Sequence, residues 1–238
     1  MAIIKNKKTT IDEIINPYIE IQQHYSKILK SINKDFKNLD KDKDTRIVSL
    51  KLIIEACQTN IILLNLVKEN FGNLKLWDNH HFENNEERDK FLNDRLYFIL
   101  GDLRESLFIN IFLRFESFIK IISKSIGITG ERINTVCKDL IDNTNVNTDY
   151  KNLIDLFTYS RNTIHTEGFH SRKTITVTYK GKSFEFKKDE PLLFYDIDFL
   201  AFMLSEIGNF IKDVIYSKTI SKNLFIEHTY ANLNFEYE

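Results

Sequence analysis

Glycine and proline are scarce in this chain of 238 residues, at 7 and 2. Their scarcity argues against collagen-like, turn-dense and Pro-rich disordered architectures and favours long helices with few tight turns. Cysteine is equally rare: Cys57 and Cys137 stand far apart, each inside an apolar pattern. Two such residues make neither a disulfide framework nor a zinc site, so both read as small core residues. An excess of charge of one sign is missing too. With 33 basic and 34 acidic residues the formal charge is −1, and no global positive field draws the chain to nucleic acid or to an anionic membrane. The opening MAIIKNKKTT has too short an apolar run for a signal peptide, and no segment reaches the roughly 18 uncharged apolar residues that span a bilayer. The expectation is a soluble cytoplasmic protein with no membrane association. A Walker loop, Gly-x-Gly-x-x-Gly, His-Glu-x-x-His and Gly-x-Ser-x-Gly are all absent, and neither a cofactor nor a metal is expected.

What is present is apolar and aromatic: 42% hydrophobic residues, with 19 Phe and 10 Tyr, supply a sizeable core. Tyr18, Ile21, Tyr25, Ile28, Ile32, Phe36 and Leu39 keep nearly heptad spacing and predict a long first helix, with Thr10-Ile11-Asp12-Glu13 or Asn16-Pro17 as its start. Asp40 to Asp44 reads as a solvated connection. A second helix is expected over about 45–70, followed by a loop over 73–84 that holds the single Trp and the pair His80-His81. Glu86 to Ile126 reads as one long helix, with Gly101 as a possible kink. Its second half, LFINIFLRFESFIKII, is apolar nearly all round and marks a helix covered on several sides. A short helix over about 131–141 follows. Thr174–Tyr179 and Ser183–Phe186, separated by Lys180-Gly181, predict a hairpin with Gly181 at positive φ. A last long helix spans about 196–216. The fold class is therefore mainly α: a helical bundle with long antiparallel helices and one small β-hairpin at about 173–187. An N-terminal helical pair (1–84), a helical core (85–218) and a tail (219–238) are expected to form one domain.

The most informative stretch is Asp149 to His170, DYKNLIDLFTYSRNTIHTEGFH. Thr148 or Asp149 is the expected cap of its helix and Gly168 its stop. Leu153, Ile154 and Phe157 form a buried stripe whose continuation by helical steps reaches Arg161, Ile164 and His165. Arg161 and His165 are i and i+4 and share a face. An unpaired buried Arg is costly, so Arg161 needs a partner, a wet cleft or a subunit interface. Arg is the rarer basic type here, 8 against 25 Lys. Glu116, in the apolar segment of the long helix, is the carboxylate expected to meet it.

The arrangement Arg161-Asn162-Thr163-Ile164-His165, with Gly168 beyond it, resembles the Arg-Asn-x-x-His-x-x-Gly motif of a variant branch of the HEPN superfamily. FLRFESFIK with Glu116 is similar to the acidic-residue helix that precedes that motif, and the likeness covers roughly residues 90–216. Arg161 and His165 lie closer together than the usual nuclease signature places them. The resemblance implies an all-helical, metal-independent endoribonuclease of a toxin–antitoxin or antiviral defence system, acting as a homodimer on RNA. Arg161, His165 and Asn162 would be its catalytic residues, with Glu116 in support. An imidazole exchanges a proton near neutral pH, and a guanidinium offers donors to charge growing on a phosphate. The alternative is a non-catalytic HEPN-like dimerisation or interaction module with a protein partner. There Arg161 pairs with Glu116, and His165 caps carbonyls at the helix end.

Overall fold

A computed structural model of the chain describes residues 11–71, 80–166 and 168–228, with side chains from Ile14 onward. Among the described residues seven helices and a hairpin run in the order α1 (Ile11–Asp35), α2 (Thr45–Asn70), α3 (Asn85–Ser125), α4 (Ile133–Thr144), α5 (Tyr150–Ile164), β1 (Ile175–Tyr179), β2 (Lys182–Phe186), α6 (Ile197–Tyr216) and α7 (Lys218–Ser221). The fold is mainly α with one antiparallel hairpin before the last long helix, as the patterning predicts. One continuous core of buried side chains runs from Ile15 to Ile226.

The heptad stripe of α1 buries Tyr18, Ile21, Tyr25, Ile28 and Ile32. Tyr25 donates its hydroxyl to the Leu204 carbonyl at 2.8 Å, so α1 is held against α6 by a satisfied polar contact inside the core. The two helices approach closely at Gly208, where a Cβ would stand 3.0 Å from the His24 ring and 3.2 Å from Ile28 Cδ1. The second half of α3 is covered on several sides, with Leu107, Phe108, Ile111, Phe112, Phe115, Phe118 and Ile119 buried. Phe108, Phe112 and Phe115 each pack on Phe157 of α5, at centroid separations of 4.9–5.4 Å. In the hairpin Lys180 and Gly181 both take positive φ, 49° and 75°. This is the pair of left-handed residues that a two-residue turn between twisted strands requires. Val177, Tyr179, Phe184 and Phe186 alternate inward onto α5 and α6.

Several local expectations are corrected. Pro17 lies inside α1, so Asn16 does not begin that helix; Thr10 and the single Trp fall outside the described residues. Asp149 occupies the N-cap position of α5 but makes no side-chain cap bond; Asn147 Oδ1 accepts the Asp149 N–H at 2.9 Å. The largest correction concerns Asp44, which ends a charged run yet is fully buried. It caps α2 and forms a sealed ion pair with Arg46: Nε to Oδ1 is 2.9 Å and Nη2 to Oδ2 is 2.7 Å. Arg46 Nη1 also donates to the carbonyls of Ile220 and Asn223, and Asp44 Oδ2 accepts from Ile226 N–H. Backbone bonds from Thr45 to Ile226 and from His228 to Lys43 complete the tie. The segment after α6 is thus locked onto the start of α2.

α2 is the helix that bears on the membrane expectation. Among the described residues it alone is long and apolar enough to cross a membrane by length and composition, with a window of mean hydropathy 1.7. Its Ile47, Leu50, Ile53, Cys57, Asn60 and Leu64 are nonetheless buried in the bundle. Core helices of soluble proteins pass the same composition test, so α2 carries no membrane assignment.

Candidate functional site

Three elements build the environment of Arg161. α5 brings Thr158, Arg161 and Asn162; α3 brings Phe112 and Glu116; the start of α4 brings Glu131, Arg132, Ile133 and Asn134. Arg172, from the segment before the hairpin, joins them around an open cavity of about 490 Å³. The first turn of α4 is fixed from both sides. Asn134 Nδ2 donates to Asp155 Oδ1 at 2.7 Å, and Lys138 pairs with the same carboxylate. Gly130 packs closely just before it: a Cβ there would lie 2.9 Å from Val136 Cγ2, so a larger residue would force a shift.

The buried stripe of α5 does not reach Arg161. It turns after Phe157 onto Ser160 and Thr163, a step of three where the sequence reading took four. Arg161 is therefore half-buried at the margin of the core. Its guanidinium lies 5.5 Å over the Phe112 ring and donates to Asn162 Oδ1 at 3.3 Å, while its Nε is buried without a partner. Glu116 is not its partner. That carboxylate is part-exposed and pairs at 2.6 Å with Lys120, one turn along the same helix, which keeps it for α3. Among the described residues none of Arg132, Arg161 and Arg172 has an ion pair. α4 begins at Arg132 with no side-chain cap. Residues of this uncapped first turn, which carries the positive end of the helix dipole, line the same cavity as Arg161 and Arg172.

His165 stands one position beyond α5, exposed and outside the cavity lining. Its side chain caps no carbonyl; the backbone N–H makes the terminal bond to Arg161 O. The site residues thus divide: Arg161, Asn162 and Glu116 share a cavity, and His165 is not among the residues that line it. His170, by contrast, is built into the fold. Its Nε2 is 3.1 Å from Lys173 O, a carbonyl that can only accept, so Nε2 carries a hydrogen; Nδ1 is 3.3 Å from Thr163 Oγ1. Tyr159 and Phe186 flank the ring. The His170 backbone exchanges bonds with Glu190 and Asp189, and Gly168, at φ 84°, returns its N–H to Thr163 O. His170 therefore clamps the end of α5 to the exit of the hairpin and leaves His165 as the imidazole open to solvent at this helix end.

Arg132 and Arg172 were not singled out as site residues from the sequence. The usable signal was the rarity of Arg; their convergence depends on the α3–α4 turn and on the chain path around Gly168. Comparisons with protein-family models, curated proteins and solved structures give no match to this chain.

Proposed function

We propose that the chain is a HEPN-like, metal-independent endoribonuclease of a toxin or phage-defence system, acting as a homodimer. The observation that carries this reading is Arg161, held half-dry on Phe112 with donors unspent in a polar cavity, and not sealed in a structural ion pair. RNA brings its own nucleophile. A base removes the 2′-hydroxyl proton, the oxygen bonds to phosphorus, and the 5′-oxygen departs with a proton, leaving a 2′,3′-cyclic phosphate. On this reading His165 would move the proton and Arg161 would hold the charge gathering on the phosphate. Asn162 orients the Arg161 fork through its Oδ1. A second copy of the chain would bring a second His165, so that one imidazole serves as base and the other as acid.

The test is incubation of purified wild type, His165→Ala and Arg161→Ala with total RNA in the presence of a chelator. Wild-type cleavage leaving cyclic phosphate ends, lost by at least two orders of magnitude in both variants, supports the reading. Intact RNA with wild type, or equal cutting by a folded His165→Ala protein, sinks it. A second reading, a non-catalytic interaction module with a protein partner, is favoured by one observation: His165 is exposed, unbonded and outside the cavity lining.

A further inference from the structure

We infer that the cavity between α3, α4 and α5 binds a nucleoside phosphomonoester, with Arg132, Arg161 and Arg172 receiving its dianionic phosphate. This goes beyond the cleavage reading, because it requires the cavity and not His165. Its first support is local charge. Glu116 is neutralised by Lys120, so three guanidiniums face one unpaired carboxylate, Glu131, and two positive charges are left over. A phosphodiester brings a single negative charge, whereas a monoester near neutral pH brings about −1.5 to −2. The uncapped first turn of α4 adds N–H donors beside the guanidiniums, a setting that suits phosphate.

The second support is how the charge is distributed. A protein that tracks a nucleic-acid backbone needs a basic stripe, and this chain is balanced overall at −1. Three of its 8 Arg meet in one pocket, the pattern of an end or a single nucleotide and not of a path. Size gives the third support. At about 490 Å³ the cavity falls in the range of small-molecule sites, roughly 300–1,000 Å³, and a lone phosphate would leave most of it empty. Glu131 remains as an acceptor for sugar hydroxyls or base N–H groups.

A phosphomonoester can be the end of an RNA strand or a free nucleotide, and binding measurements separate the two. Fluorescence anisotropy would compare labelled uridine oligomers with a 5′-phosphate, a 3′-phosphate or hydroxyl ends, using the His165→Ala protein so that no cleavage intervenes. A phosphorylated end should bind about tenfold tighter than hydroxyl ends. Arg132→Ala and Arg172→Ala, both exposed positions, should each remove about that advantage while melting like wild type. The advantage should also shrink as pH falls from about 7.5 to 5.5, where the monoester loses its second charge. Competition by uridine monophosphate at the strength of the strand would assign the free nucleotide as ligand; weaker competition would assign the strand end. Equal affinity for phosphorylated and hydroxyl ends, with no competition by the monophosphate, overturns the proposal whether or not the wild type cuts RNA. Phosphate-dependent binding by a protein that never cuts RNA would uphold the pocket and remove only the nuclease reading.

Discussion

Arg46 and Arg161 are the same residue type under opposite treatment. Arg46 is fully buried, and its donors meet both oxygens of Asp44 and two backbone carbonyls. Arg161 is half-buried over an aromatic ring, with one long bond to its neighbour and a buried Nε that meets nothing. Desolvating a guanidinium is offset only when its donors find acceptors. At Arg46 the acceptors come from the chain, and the result is a structural tie. At Arg161 the chain leaves donors without acceptors, and it is on these that the proposed site rests.

The sharpest way to break this contrast is to remove each side chain in turn. Arg46→Ala strands the Asp44 charge in the core and should cost about 3–5 kcal/mol in chemical denaturation. Arg161→Ala should change stability by about 0.5 kcal/mol or less. Comparable losses at both positions would mean that Arg161 is structural after all. Gly208→Ala supplies a scale for pure packing, far from either guanidinium in the sequence. Its Cβ would press on His24 and Ile28, and a loss of about 1–3 kcal/mol is expected in the same assay.

Anion binding sharpens the other side. Inorganic phosphate at about ten times its dissociation constant should stabilise wild type by about 1.4 kcal/mol in thermal melts, and should do nothing for Arg161→Ala. Arg46 sits outside the cavity lining, so a conservative Arg46→Lys protein that still folds should keep the phosphate response.

The smallest effect concerns a half-buried imidazole. Burial holds His24 below its ordinary 6.5, against opposing help from the Ser205 backbone and Glu206. The unfolded chain therefore takes up this proton more readily than the folded one. Stability from this source is full above about pH 6.5 and is lost as pH falls below that value toward the lower folded-state pKa. His24→Gln should flatten the fall in denaturation midpoint over that window, and an unchanged slope would remove His24 as its source.

The elements were largely legible in the sequence, because periodicity reports burial directly. The stripe Tyr18–Ile32 and the apolar run around Phe115 could serve little else, and Lys180-Gly181 between alternating strands specifies a turn. The start of α2 was not legible. In Asp40–Asp44 every second residue is acidic, and nothing local separates the solvated Asp42 from the buried Asp44; the difference is made by Ile220, Asn223 and Ile226, far along the chain. The candidate site was half legible. Arg161 stands out as polar chemistry on an apolar helix, but Glu116 is not its partner, since Lys120 takes that carboxylate at the short range that helices favour. Arg132 and Arg172 come together with Arg161 only through tertiary structure.

The tie at Arg46 also sets an order of events. During synthesis Asp44 and Arg46 leave the ribosome long before residues 220–226 exist. Until then the pair lacks the carbonyls of Ile220 and Asn223 and the N–H of Ile226 that complete it in the folded protein. The earliest helices can collapse first, but this corner must stay wet until nearly everything described has been made. Closing it is therefore a late step, and a chain stalled before residue 220 would be missing its last polar seal.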